Sequence, residues 1–198
     1  MKVVEIGCGP EAGPRFDGAD EHYIVDTDEV ALGSAYFRDI RLTPMIASAT
    51  DLDFEDGSVD TVLARNVFGD NALTISNPQK EELAVDLLAL DREGRHWEII
   101  SELTHLESKA FYLKLDIMRE AARILVGGGQ LVAVERLSPK VAGRFFDFAA
   151  EFSRLDGRLD LDTVFDIEQG LPLEDVTPPN YAETHASPKT KTWVATKK

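Results

Sequence analysis

The chain reads as an α/β protein built on a doubly wound, mostly parallel sheet with an antiparallel strand near its C-terminus. Three observations carry that reading. Residues 3–10, Val-Val-Glu-Ile-Gly-Cys-Gly-Pro, pass from a β-branched apolar stretch straight into a glycine turn, as a central parallel strand does when it feeds a loop at the carboxyl edge of a sheet. A second apolar stretch closes on Asp26, about 20 residues after the glycines, the offset at which a carboxylate grips a nucleoside ribose. Strand-like and helix-like segments then alternate to the end of the chain, the order expected of a doubly wound sheet.

The first strand is expected over 2–6. Gly7 and Gly9 let the backbone turn sharply and approach another group closely. Taken alone, the turn fits either a cofactor cradle or an ordinary strand-to-loop corner, because Gly-x-Gly is a weak signal. Gly13, Pro14 and Gly18 shorten or break the helix that would follow. Residues 22–26 form the second strand. A helix over 28–36 starts from Asp28, a good cap that leaves Asp26 free, and turns Val30, Leu32 and Ala35 inward.

Residues 44–49 read as a third strand, followed by an acidic loop, 50–60, anchored by Leu52 and Phe54, and by a fourth strand over 61–68. The stretch 69–115 is longer than a simple crossover. It holds a helical pattern opened by Asn77-Pro78, with Leu83, Val85, Leu87, Leu88 and Leu90, and ended by Glu93-Gly94; a second pattern over 97–106; and the start of a third over 108–125. Gly127 to Gly129 are expected to stop that helix before a fifth buried strand over 130–135. Residues 139–155 form a helix with Val141, Phe145, Phe146, Phe148, Ala149 and Phe152 on its apolar face, ended by Asp156-Gly157. Residues 171–176 and 192–196 read as two further strands, antiparallel to each other.

Bulk properties bound the function. A length of 198 residues suits one domain, 1–198. Apolar content of 43% marks a globular chain. The net charge is 21 − 36 = −15, so phosphate backbones and anionic lipid are repelled, and neither nucleic acid nor a membrane is expected as main partner. The charge is uneven: the last ten residues hold Lys189, Lys191, Lys197 and Lys198 without an acid. A single cysteine, Cys8, excludes an internal disulfide framework. With no apolar run of roughly 20 residues and no leader before the first strand, a cytoplasmic location is expected.

Several motifs in this order resemble those of class I S-adenosylmethionine-dependent methyltransferases, close to the type 11 group. The stretch 3–10 is similar to the family's Glu/Asp-x-Gly-x-Gly motif, and 23–26 to its acidic second motif. Residues 49–60 resemble the loop Asp-Ala-x-x-Leu-Pro-Phe-x-Asp-x-Ser-Phe-Asp. Residues 118–132 resemble the Arg-x-Leu-x-x-Gly-Gly corner. The resemblance covers roughly 2–135 and implies a Rossmann-like, seven-stranded methyltransferase fold with S-adenosylmethionine as cofactor and no metal. Residue by residue, it implies that the backbone of Gly7, Cys8 and Gly9 holds the methionine part and that Glu5 orders that turn. Asp26, with Thr27 beside it, would take the ribose hydroxyls. Ala49, between Ser48 and Thr50, would meet the adenine, while Arg65, Asn66 and Val67 would line the floor near the methyl group.

Ser48 stands where the family often has Asp, and Asp53 where Pro is usual. With the first strand expected from Lys2, no counterpart of the N-terminal helical cover common in the family is expected. Closure is therefore expected from the helical insert, 70–115, or from a partner. Candidate bases are His96, His105, Tyr112 and His185; Cys8 reads as a small filler. The leading reading is a methyltransferase with an unidentified small-molecule acceptor, alone or as a homodimer. The alternative is a non-catalytic domain of this fold that acts through protein partners. A nicotinamide oxidoreductase would call for a third glycine where Ala12 stands and a Tyr-x-x-x-Lys pair that is not evident.

Overall fold

The computed structural model describes residues 1–9, 12–70, 77–156, 160–185, 187 and 189–198. Seven strands form one sheet: β1 (Lys2–Ile6), β2 (Glu21–Asp26), β3 (Thr43–Ile46), β4 (Val59–Arg65), β5 (Leu125–Glu135), β6 (Phe165–Gln169) and β7 (Lys191–Lys197). Their order is β3-β2-β1-β4-β5-β7-β6. All pairs are parallel except those of β7, which runs antiparallel to both β5 and β6. The chain leaves β1 outward to β2 and β3, then returns to β4 on the other side. That reversal opens a crevice at the carboxyl ends of β1 and β4, where open α/β sheets bind ligands.

Helices cover both faces. On one lie α3 (His96–Ile124) and α4 (Pro139–Asp156); Met118, Ala121, Ile124, Phe145 and Ala149 pack on Val4, Ile6, Val62, Ala64 and Ala133. On the other lie α1 (Glu29–Arg38) and two short helices, α6 (Leu173–Val176) and α7 (Pro179–His185); α5 (Leu161–Val164), which leads into β6, packs with α4 on the first face. There Tyr181 and Leu173 pack with Val3, Leu63, Val132 and Val134, and Leu32 and Ala35 pack with Ile24. The central strands thus supply two buried faces, which is why β1, β4 and the second half of β5 read as near-continuous apolar runs, whereas the edge strands β3 and β6 are mostly exposed. Asp28 caps α1, its carboxylate accepting from the amides of Val30 and Ala31.

Several expectations are corrected. Val30 is 79% exposed; Ala31 takes the inward place beside Leu32 and Ala35. The helices expected over 97–106 and 108–125 are one 29-residue helix, since nothing between Leu106 and Ser108 breaks it. Gly127 to Gly129 do not stop that helix. It ends at Ile124 on an extended Leu125, and the glycines lie inside β5, where the register against β4 shifts. A Cβ at Gly129 would lie 3.0 Å from the Asp60 carbonyl, so a side chain at this bulge would have to push the backbone aside by a few tenths of an ångström. Residues 171–176 are not a strand but largely α6. The sixth strand is Phe165–Gln169, whose alternating Phe-Asp-Ile-Glu-Gln was the readable signal. Phe148 is exposed. The side chain of Phe152 and residue Gly157 lie outside the described residues.

The second helix, α2 (Asn77–Arg92), packs against α3 alone to a significant degree. Gly94, at φ +69°, ends it in a Schellman turn: the Gly94 amide donates to the Asp91 carbonyl and the Arg95 amide to that of Leu90. Val85, Leu88, Trp97, Ile100 and Leu103 are exposed, and the first buried residue of α3 is Leu106. The hairpin therefore projects, and α3 runs unbroken from it into the core. Among the described residues no helix is long and apolar enough to cross a membrane.

Candidate functional site

β1 ends in a fully buried carboxylate and a strained turn. Gly7 and Gly9 have φ of +60° and +54°, values that favour glycine. A Cβ on Gly7 would lie 2.8 Å from Val67 Cγ2, whereas nothing lies within 4 Å of one on Gly9. The turn is pressed onto the end of β4 at Gly7 and open at Gly9. The Gly7 amide donates to the Val25 carbonyl, 2.9 Å, holding the turn against β2. Cys8 is buried, and burial pushes its thiol up to about 12, so it is packing and not a nucleophile.

Asp26 ends β2 beside this turn. Its Oδ2 accepts from the Gly9 amide at 2.9 Å and its Oδ1 from the Asp28 amide at 3.0 Å. It is half-exposed and Thr27 is exposed. Each carboxylate oxygen has two lone pairs, so the contact to Gly9 fixes the carboxylate and leaves acceptor capacity toward the crevice. The Ala47 amide donates to the Asp26 carbonyl, 3.2 Å, bringing the end of β3 alongside. Just beyond, Ser48 Oγ and Thr50 Oγ1 are 2.8 Å apart, and the Asp51 amide donates to the Ser48 carbonyl. This tight turn holds Ala49 half-buried.

The loop after it is fastened from below. Arg123 donates to the carbonyls of Leu52 and Phe54, both at 2.8 Å, and to Asp56 at 2.7 Å, while pairing with Glu120 at 2.6 Å. Glu120 in turn accepts the Leu52 amide at 2.7 Å. The arginine of the helix-to-strand corner is thus a clamp on the acidic loop, and Leu52 is its buried anchor.

Glu5 is the centre of the buried polar cluster. Its carboxylate accepts the Gly13 amide at 3.2 Å, lies 3.5 Å from Arg65 Nε and 3.8 Å from His22 Nε2. Burial raises its pKa to about 7, against the lowering pull of Arg65 and the Gly13 amide. His22 Nδ1 accepts the Phe16 amide, so the neutral ring carries its proton on Nε2, toward Glu5. Burial holds His22 down at about 4; its contact with Glu5 is a dipole facing a carboxyl, not an ion pair. Arg65 also donates to the Cys8 carbonyl at 3.1 Å and lies 3.5 Å from His185 Nδ1. Asn66, at φ +56°, accepts the amides of Arg136 and Leu137 on its Oδ1. This joins the ends of β4 and β5.

Two contributors were not read from the sequence. Tyr181 is fully buried with an unpartnered hydroxyl. Its ring lies where a Gly13 Cβ would be, 2.1 Å away, and meets His185 at 4.4 Å between centroids. Pro179 opening a helix with Tyr181 and His185 four apart was the available signal. Glu135, at the end of β5, is fully buried, accepts the Phe68 amide at 2.7 Å and has an unpartnered Oε2. Burial raises it to about 7; the buried Lys114 is among the charges that face it.

The structure brings Glu5, Gly7, Cys8, Gly9, Asp26, Arg65, Asn66 and Val67 together and sets Ser48, Ala49 and Thr50 next to Asp26. The candidate bases fare differently. His96 is exposed and pairs with Asp91 at 3.5 Å, His105 is exposed, and both stand on the projecting half of α3. Tyr112 is 42% exposed and edge-on to Phe111. Only His185 reaches the crevice. No group of three or more possible metal ligands occurs among the described residues.

No family model and no curated protein matches the chain. Solved structures do. It is similar, at 16% identity over 98% of this chain and 81% of the other, to a chain of the complex between the Haloferax volcanii Trm112 methyltransferase activator and its candidate methyltransferase, with a TM-score of 0.50. It is similar to N-methyltransferase NodS from Bradyrhizobium japonicum, at 11% identity over 100% of this chain and 84% of that one, with a TM-score of 0.50. A third is Haemonchus contortus phosphoethanolamine N-methyltransferase 1, with phosphoethanolamine and S-adenosylhomocysteine bound. There the identity is 16% over 99% of this chain but 38% of that one, and the TM-score is 0.51. With its seven-stranded order and single antiparallel strand, the chain has the class I S-adenosylmethionine-dependent methyltransferase fold.

Proposed function

We propose that the chain is an S-adenosylmethionine-dependent methyltransferase acting on a small-molecule acceptor. The observation that carries this is the pairing at the crevice: a glycine turn open at Gly9, with the Asp26 carboxylate fixed on the Gly9 amide at 2.9 Å. The cofactor fits these residues. Gly9 has room for close approach, Asp26 keeps free lone pairs for two hydroxyls, and Ala49 lies beyond the end of β3 for an adenine ring. Gly7, Cys8, Arg65 and Val67 would floor the methionine part.

When bound, the cofactor supplies an activated methyl group, so the chain need only bind, orient and exclude water. Arg65, braced by Glu5 and the Cys8 carbonyl, would hold a carboxylate. Glu135, raised to about 7, is a group at a strand end able to take a proton near neutral pH, whereas His185, held down to about 4 by burial and by Arg65 and Arg136, stays neutral there and can only orient or accept a hydrogen bond. The hairpin of α2 and α3 follows β4 and would act as the lid. Its exposed apolar face also favours a second reading, in which the domain works through a protein partner.

Titration calorimetry with S-adenosylhomocysteine tests the first reading. The wild-type chain should bind it, and Asp26→Ala should weaken binding at least about tenfold, the loss expected from charge-assisted hydrogen bonds. A folded wild-type chain that binds neither S-adenosylmethionine nor S-adenosylhomocysteine would end the enzyme reading.

A further inference from the structure

A cavity of about 630 Å³ opens where the end of β5, the start of α4, the end of β6 and the start of β7 meet. Four cations line it, Arg136, Lys140, Lys189 and Lys191, with Leu137 and Trp193 among its apolar wall and no carboxylate. In a chain with 36 acids and 21 bases, that composition is the reverse of the average surface. None of the four forms an ion pair among the described residues, whereas Lys2, Arg41, Arg65, Lys80, Arg95, Arg119, Arg123 and Lys198 all do. Converging like charges repel, so a bound anion would be drawn to the cavity and stabilise it.

The wall is firm and partly apolar. Trp193 is buried, stacks on Phe146 at 5.4 Å, and donates its indole N–H to Gln169. Leu137 is 77% exposed beside it. The volume suits one small organic ligand. The cavity also adjoins the crevice: the Arg136 amide donates to Asn66 at the end of β4, 2.9 Å, and the Arg136 charge is felt at His185.

We propose that this cavity holds the methyl acceptor by its anionic group, and that the acceptor is an organic anion: a carboxylate or phosphate ester with an apolar body. This rests on the methyltransferase reading for the identity of the ligand as acceptor. The overall charge of −15 repels nucleic acid, so the phosphate in question is that of a small molecule.

The test uses fluorescence. Of the two tryptophans, Trp97 is 82% exposed on the hairpin, so Trp97→Phe leaves Trp193 as the reporter. Phenyl phosphate and benzoate should quench it saturably, and benzyl alcohol and benzylamine should bind at least tenfold more weakly. Lys140→Glu with Lys191→Glu should weaken phenyl phosphate binding at least tenfold without lowering the melting temperature. If that pair does not fold, Lys140→Gln and Lys189→Gln singly, with binding weakened as ionic strength rises, serve instead. Equal response to the neutral and cationic analogues, wild-type affinity after charge reversal, or tighter binding of a short oligonucleotide at the same salt overturns the proposal. S-adenosylhomocysteine is titrated in parallel. If it binds and phenyl phosphate does not, the anion site falls and the methyltransferase reading stands; if phenyl phosphate binds and it does not, the acceptor role falls with that reading.

Discussion

The crevice at the ends of β1 and β4 and the hairpin of α2 and α3 are built on opposite terms. In the crevice the groups around the glycine turn each have a neighbour that fixes them: Glu5 on Gly13 and Arg65, Arg65 on Cys8, Asp26 on Gly9 and Asp28, Asn66 on Arg136 and Leu137, while the Tyr181 hydroxyl and Glu135 Oε2 stay buried and unpartnered. Glu5, Cys8 and Val67 are buried there. In the hairpin the large apolar groups Val85, Leu88 and Trp97 face outward. Its polar contacts include exposed pairs, such as Arg95 with Glu93 and His96 with Asp91, each worth little in water. A scaffold that must hold one cofactor can be rigid, and an element that meets a changing substrate or partner is better left adaptable.

Three changes would sharpen or break that contrast. The largest effect is expected at Gly7→Ala. A positive φ and a Cβ 2.8 Å from Val67 together should cost about 2–4 kcal/mol, a fall of about 5–15 °C in melting temperature for a chain of this size. A wild-type melting curve would mean that the turn is not pressed onto β4.

Next is the pH dependence carried by Glu5. Its folded pKa of about 7 stands above the ordinary 4.5, so between these values the folded chain binds the proton more tightly than the unfolded one. Stability should therefore fall as pH rises from about 4.5 through 7, then level off. His22, depressed to about 4 from 6.5, acts oppositely, costing stability as pH falls below 6.5. Urea midpoints of wild type and Glu5→Gln across this range isolate the first effect, because His22 is common to both. A constant difference between the two would remove the buried, neutral-leaning Glu5. The smallest effect is expected on the hairpin: Val85→Ser and Leu88→Ser should each change stability by less than about 0.5 kcal/mol and leave S-adenosylhomocysteine affinity unchanged. A loss several times larger would show that this face is packed.

The same contrast explains what could be read beforehand. The glycine turn, Asp26 and the corner at Arg123 were legible because each depends on local backbone demands at fixed spacing. The functions within the corner were less so. Arg123 clamps residues some 70 positions away, and Gly129 serves a contact between strands rather than a helix end. The histidines of α3 were plausible bases by residue type alone; their exposure depends on where the hairpin projects. Tyr181 and Glu135 went unread because neither stands in a motif.

What the amino-acid sequence by itself determined is the alternation of buried strands and covering helices, the glycine turn and the acid that follows it. These rest on periodicity, backbone freedom and short-range spacing, which any segment carries within itself. What only the tertiary structure decided is the company these groups keep. Glu5 is raised by burial among β1, β4 and α7, Asn66 joins two strand ends, and four cations from positions 136, 140, 189 and 191 line one cavity. Desolvation and charge convergence depend on distance in space, and the sheet sets that distance only once β5, β7 and β6 have closed beside one another.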